Sequence, residues 1–325
     1  MAKWKAYVTR GFPGEAAMER LKTEFDVVQK TGWFMPTREE YLEHMKDADV
    51  MLCYSDTIDA ELLQNAPRLK FMVDNWGSRN GIDKEAAAAQ GIEIYDGMPN
   101  SYGWIVKGVA EIAWGLILAT GRRFREGDEL VRHGNWTHSE QSNHELLGEG
   151  LMGRTLGILG AGRIGTEIAR RAAGFEMNML YTDIKANPEI DAMGGRQVDK
   201  AALFEQADFI VVCLTAFTPK DNYHFVGEED FRRMKKTARL INVCRGWVVD
   251  EKAMIRALKA GEFAGAGLEV FEQEPQVNPE LKEMLNVLMV PHSGGALYRE
   301  RARNFELMVD ACIDFKRRYE AEHGR

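Results

Sequence analysis

Short apolar runs alternate with amphipathic stretches twice along this chain, and that alternation restricts the fold more than any other feature of the sequence. From residue 5 the runs KAYVTR, DVVQK, VMLCYS, KFMVDN and IEIYD are separated by helical spacing over Glu15 to Phe25, Arg38 to Asp47, Asp59 to Asn65 and Lys84 to Gln90. A second series, TLGILG, MNMLYTD, DFIVVCL, RLINV, GAGLEVF and NVLMVPH, starts at Thr155. Strands that alternate with helices pair in parallel through right-handed crossovers. The expected class is α/β, with two doubly wound parallel-sheet domains. Length agrees, because 325 residues exceed the roughly 250 at which single cores stop growing.

Between the two series, VAEIAWGLILATGRR (Val109 to Arg123) is the longest apolar helical candidate, and Gly121 followed by basic residues gives it a C-terminal stop. It is expected to link the domains. Residues 124–150, with the polar stretch HGNWTHSEQSNHE, carry no clean period and read as a projecting arm. The last segment, Arg299 to Arg325, is expected to be a helix with Phe305, Leu307, Met308, Ala311 and Phe315 on one side, crossing back onto the first domain. The resulting division is 1–104 plus 297–325 for one domain and 105–296 for the other, with the arm near 120–150.

A formal net charge of −8 argues against a nucleic-acid partner, which requires clustered Lys and Arg on the phosphates. No apolar run approaches the ~20 residues of a membrane span, and the amino terminus lacks the pattern of a signal peptide. Cys53, Cys213, Cys244 and Cys312 show neither CxxC spacing nor the density of a disulfide scaffold. They read as reduced residues of a cytoplasmic protein that works on a small molecule.

The run Gly160-Ala161-Gly162-Arg163-Ile164-Gly165 follows the apolar strand TLGIL and opens the helical stretch TEIARRAA. That context turns a weak GxGxxG pattern into a dinucleotide fingerprint. The first glycine makes the tight turn, the second lets backbone approach the pyrophosphate, and the third lets helix and strand pack closely. Asp183 ends the next strand, 18 residues after Gly165, where a carboxylate accepts the adenosine ribose hydroxyls and repels a 2'-phosphate. NAD is therefore favoured over NADP, although Lys185 offers a cation that can offset added charge. As an ordinary strand-turn-helix junction the glycines need no ligand, and Asp183 can equally be a solvated strand end.

Three further residues follow strands of the same domain: Arg245 after RLINVC, Glu274 in FEQEP and His292 in PHSGG. Ligands bind at the carboxyl edge of open parallel sheets. A guanidinium binds a carboxylate and an adjacent keto oxygen with a fork of N–H donors. A histidine protonates a carbonyl oxygen as hydride arrives at the carbon, and a carboxylate bonded to it stabilises the imidazolium. Taken singly, each has a bland reading as an ion pair, a turn residue or a structural histidine. Together on successive strand ends they point to hydride transfer on a 2-keto or 2-hydroxy acid.

These motifs resemble the D-isomer-specific 2-hydroxyacid dehydrogenase family, over nearly all of residues 50–296 and most specifically in TLGILGAGRIG, INVCRGWVVDEKAMIRALKAGEFAGAGLEVFEQEP and NVLMVPHSGGA. The resemblance implies a flavodoxin-like substrate domain built from both chain ends and a Rossmann NAD-binding domain. It implies substrate binding by Arg245, acid-base work by His292 and partnership with the histidine by Glu274. It also sets Cys244 and Glu269 beside the cofactor, with Glu269 standing where an aspartate commonly faces the nicotinamide amide. It further implies a homodimer made through the cofactor domains and the arm. Glu274 favours a hydroxy-acid reaction over formate oxidation, because the formate-oxidising branch typically has glutamine there.

Departures from the family pattern bear on the substrate. The loop expected to donate backbone N–H groups to the substrate carboxylate reads Trp76-Gly77-Ser78-Arg79, in which Trp76 is able to wall a pocket and Arg79 to pair with a second anion. Residues Pro99 to Glu111 form a longer segment than usual, carrying Tyr102 and Trp104, and Trp247 replaces a generally small residue. Two alternatives stand beside the NAD(H)-dependent keto acid reductase. One uses NADPH. The other is an NAD-sensing corepressor-like interaction protein, disfavoured because only 33 residues follow His292.

Overall fold

The computed structural model describes residues 3–324 except 33, 55, 75–80, 96–100, 217 and 219, with no side-chain description at 101, 102, 142 and 143. By contacts the chain forms two units, Met1–Trp104 with Ala296–Arg325, and Ile105–Gly295. The expected pair of parallel-sheet α/β domains is present.

In the first unit, β1 (Trp4–Val8), β2 (Phe25–Gln29), β3 (Val50–Cys53), β4 (Phe71–Asp74) and β5 (Glu93–Tyr95) make one sheet in the order β2-β1-β3-β4-β5, every pair parallel. Strands β3 and β4 are buried along their whole length, as expected of central strands covered by helices on both faces. Three helix starts are set by side chains that accept an otherwise orphaned amide. Thr37 and Glu40 form a capping box, and Asp59 and Asp83 cap through the N–H groups of Leu62 and Ala86.

The terminal helix Tyr298–Glu322 buries Phe305, Met308, Val309, Cys312, Ile313 and Phe315. Phe315 stacks on Phe71 with centroids 4.4 Å apart, and Phe305 on Phe12 at 4.8 Å. Leu307 and Ala311, expected on this face, are only partly buried at its margin. The centre of the stripe lies on Val309 and Cys312 instead.

In the second unit, β6 (Thr155–Leu159), β7 (Asn178–Thr182), β8 (Arg196–Gln197), β9 (Phe209–Val212), β10 (Arg239–Asn242), β11 (Gly265–Leu268) and β12 (Val287–Met289) take the order β12-β11-β10-β9-β6-β7-β8. All pairs are parallel. The seventh strand, β8, is two exposed polar residues. An apolar pattern has no means of registering it.

Two expectations need correction here. The helix placed at Val109 to Arg123 runs over Ser101–Gly121, and its portion Gly103–Gly121 is long and apolar enough to cross a membrane. Its role in the fold is that of a core helix: Ala110, Ala113, Trp114, Leu116 and Ile117 are buried in the second unit's core, and the Trp114 indole N–H donates to Ile168 O at 3.1 Å. The stretch read as aperiodic arm contains a helix, Phe124–Arg132, none of whose residues is buried. Its apolar side chains Phe124 and Val131 are 59% and 58% exposed, and it is tied to the second unit through Arg125, whose Nη1 donates to Met284 O at 2.8 Å and to Val287 O at 2.6 Å. All four cysteines are free and buried.

Candidate active site

Because every strand of the second sheet is parallel, the loops after β6, β7, β9, β10, β11 and β12 emerge at one edge. The glycine-rich loop follows β6. Gly160 has φ 105°, and a Cβ there would stand 2.8 Å from the Cys213 backbone, so both conformation and space demand glycine. A Cβ on Gly165 would stand 2.2 Å from Gly160 O, whereas around Gly162 nothing lies within 4 Å. The helix Arg163–Ala172 then starts at Gly162 with no side-chain cap. A crowded first and third glycine, an open second one and an uncapped helix N-terminus suit the pyrophosphate of a dinucleotide. Arg163 is exposed, and Ile164 packs against the core.

Asp183, just after β7, accepts the Ala161 N–H and the Ile184 N–H, each at 2.7 Å. The carboxylate is thus held against the glycine loop, with lone pairs still available to hydroxyl donors. Lys185 is exposed. Asn187, unmarked by the sequence reading, donates to Ala161 O at 2.7 Å and to Thr166 Oγ1 at 2.9 Å, bracing the same loop from behind.

The loop after β10 carries Cys244 and Arg245. The Cys244 thiol donates to Leu214 O at 2.8 Å, and burial pushes its pKa up to about 12. It is a packed, protonated thiol that ties the loops after β9 and β10 together. Arg245 is half-buried, and its Nη1 donates to Cys244 O at 2.7 Å; it makes no ion pair with a described carboxylate. Its backbone is fixed by Asn242, which accepts the Cys244 N–H at 3.1 Å and donates to Arg245 O at 3.2 Å. Asn242 is 1% exposed; it is not among the candidates read from the sequence, although a lone amide inside the apolar run RLINV is a signal that could have found it. Gly246 comes so close to the loop after β11 that a Cβ would lie 1.9 Å from the Phe271 carbonyl.

That second loop carries Glu269 and Glu274. Glu269, 1% exposed, accepts the Gly294 N–H; burial raises its carboxyl above the usual range, and the amide bond opposes this only in part. Glu274 Oε1 accepts the Phe271 N–H at 3.0 Å, and its Oε2 lies 2.8 Å from His292 Nδ1. Burial alone would raise Glu274, but the bonds from His292 and Phe271 outweigh it and hold the carboxyl below its ordinary value.

His292, in the loop after β12, has φ 46° and donates its N–H to Glu269 O at 2.9 Å. The bond to Glu274 raises the imidazole above its usual 6.5, against the opposing effect of burial. A carboxylate at Nδ1 selects the tautomer that carries its proton there, leaving Nε2 for a reactant. The second unit therefore brings Arg245, Glu269, Glu274 and His292 to one sheet edge, and Arg245 is near enough for its charge to act on the imidazole. Trp247 packs against the core of this unit and donates its indole N–H to Asp221 O at 3.3 Å, so it serves as a strut. Trp76, Gly77, Ser78 and Arg79 lie outside the described residues.

Residues 114–294 match the model of the D-isomer specific 2-hydroxyacid dehydrogenase NAD binding domain. The chain is 39% identical over 317 residues to a glyoxylate reductase of Thermococcus litoralis, covering 96% of this chain and 94% of that one. Its fold is similar to that of a D-isomer specific 2-hydroxyacid dehydrogenase from Polaromonas sp. JS6 66, with TM-score 0.84, 27% identity and 97% of each chain covered. It is also similar to an NADPH-dependent glyoxylate/hydroxypyruvate reductase from Sinorhizobium meliloti, with TM-score 0.70, 28% identity and coverage of 95% of this chain and 92% of that one. The chain is thus an oxidoreductase acting on hydroxy acids with a nicotinamide cofactor, and the interaction-protein alternative falls away. It belongs to the D-isomer specific 2-hydroxyacid dehydrogenase family.

Proposed function

We propose that this protein is an NADH-dependent reductase of small 2-keto acids, running in reverse as a D-2-hydroxyacid dehydrogenase. The observation that carries this reading is the 2.8 Å contact between His292 Nδ1 and Glu274 Oε2, with the Arg245 charge close by. Arg245 holds the substrate carboxylate and draws charge toward the keto oxygen. His292 donates its Nε2 proton to that oxygen during reduction and takes it back during oxidation, while Glu274 favours the protonated imidazole. Gly160, Ala161, Gly162, Arg163, Ile164 and Gly165 would hold the cofactor's pyrophosphate, Asp183 its adenosine ribose, and Cys244 and Glu269 would border its nicotinamide end. When bound, the cofactor supplies or accepts the hydride at substrate C2. The similarity to the glyoxylate reductase of Thermococcus litoralis supports glyoxylate as the first substrate to test.

NADH is favoured over NADPH because a 2'-phosphate would meet the Asp183 carboxylate, which two loop amides hold in place. Exposed Lys185 supports the second reading, as does the NADPH-dependent neighbour. Initial rates with glyoxylate, hydroxypyruvate, pyruvate and phosphonooxy keto acids test the proposal, each run with both cofactors. Turnover on at least one acid is expected, with kcat/KM for NADH at least about tenfold above NADPH, the equivalent of about 1.4 kcal/mol. Silence on every acid would contradict the reaction, and a preference for NADPH would contradict the role of Asp183.

The same reading makes the protein a homodimer. Phe124, Val131, Trp136 and Leu147 in the arm are 50–72% exposed, an apolar series that a second copy would cover. Sedimentation equilibrium is expected to give twice the chain mass of 36.8 kDa. A monomer at micromolar concentration would count against the arm's role.

A further inference from the structure

We infer that His224 is a positioning residue for the acid-base pair, acting through Glu272 to hold the loop that presents Glu274 to His292. The inference rests on the roles proposed above for Glu274 and His292. His224 lies in the segment after β9 with φ 47°, a left-handed backbone uncommon outside glycine. Backbone bonds maintain it: His224 N donates to Trp247 O at 2.8 Å, Val226 N to Val248 O at 3.0 Å, and Asp250 N to Val226 O at 2.9 Å. These fasten the segment alongside the stretch that follows Arg245.

The ring faces a group of acids. His224 Nε2 is 2.9 Å from Glu272 Oε1 and Nδ1 is 3.8 Å from Asp250 Oδ2. Tyr223 stacks on the imidazole with centroids 4.0 Å apart and donates its hydroxyl to Glu272 Oε1 at 3.3 Å. Glu272 is joined to Glu251 from both sides. Its N–H donates to Glu251 Oε2 at 3.2 Å, and Glu251 N–H donates to Glu272 Oε2 at 3.4 Å. Two carboxylates, those of Glu272 and Asp250, thus face one imidazole, with Glu251 close behind Glu272, and like charges this near one another repel unless a cation or donor lies between them. Glu272 follows Phe271, whose N–H holds Glu274 Oε1, and the same Phe271–Glu272 backbone is pressed against Gly246. Loss of the His224 grip therefore loosens the segment from which Glu274 reaches His292. The other charges facing His292 are Glu269 and Arg245, and neither touches this hub.

The test is a histidine carbon-13 NMR titration of the full chain, with the His292 signal assigned by its loss in His292→Gln, alongside the pH profile of kcat/KM for reduction. In His224→Ala the His292 midpoint and the alkaline limb are both expected to fall by about half a pH unit or more, with a cooperative melt and NADH affinity retained. His224→Gln, which keeps a donor toward Glu272, should restore most of the shift. A variant that loses activity equally at all pH values with an unmoved midpoint would overturn the inference. If His224→Ala does not fold, Glu272→Gln takes its place with the same expected fall and the same overturning result. Glu274→Gln is the control: if it leaves the midpoint unmoved, the acid-base reading itself fails. If it lowers the midpoint and the His224 variants do not, only this inference fails.

Discussion

Replacing His292 with glutamine is expected to lower turnover of the keto acid by about a hundred- to ten-thousand-fold, the range for loss of a positioned general acid. NADH affinity stays near the wild-type value, because His292 is separate in sequence and structure from the glycine loop after β6. The side chain carries little of the fold: it is 46% exposed, and among the described residues its side-chain bond is to Glu274. Steady-state kinetics and fluorescence binding of NADH check both halves. Turnover within a few-fold of wild type would remove His292 from the reaction.

Replacing Arg245 with alanine is expected to raise KM for the keto acid by about ten- to a few hundred-fold, since a hydrogen bond to a charged group contributes about 1.5–3 kcal/mol. Turnover is expected to fall as well, because in the proposed reaction the same guanidinium draws charge toward the keto oxygen. Lysine at this position restores the charge but not the two-pronged geometry, so Arg245→Lys should recover only part of the loss. The melting temperature is expected to move little: the guanidinium donates to one carbonyl, that of Cys244, and pairs with no described carboxylate. An unchanged KM would show that the substrate carboxylate is held elsewhere.

Local pattern carried much of this account. The five strands of the first sheet and six of the second were legible as short runs of strand length, and the full burial of central strands such as β3, β4, β9 and β10 follows from parallel pairing under helices. Gly160 and Gly165 could be assigned from spacing because a left-handed turn and a close helix-strand approach each exclude a side chain. Contacts between loops far apart in sequence were hidden. Nothing near Gly246 announces that its Cα abuts Phe271, and nothing near His224 announces Glu272, 48 residues on. The two-residue strand β8 and the helix Phe124–Arg132 were missed for another reason. Strand β8 is two exposed polar residues, too short to carry a period, and Phe124–Arg132 is a short amphipathic helix with no buried residue, set in an otherwise polar stretch. Asn242 shows the opposite case, where a single polar residue in an apolar strand was legible and was passed over.

The measurement that bears most directly on the central claim is the pH dependence of kcat/KM for keto acid reduction, in wild type and in Glu274→Gln. The bond to Glu274 raises His292 above 6.5, and the acid is active only while protonated. Activity is therefore full below that raised pKa and is lost as pH rises through it; for oxidation of the hydroxy acid the dependence is reversed. The account predicts an alkaline limb above pH 6.5 in wild type that moves down in Glu274→Gln. A limb that stays in place, or a profile flat across this range, would contradict it.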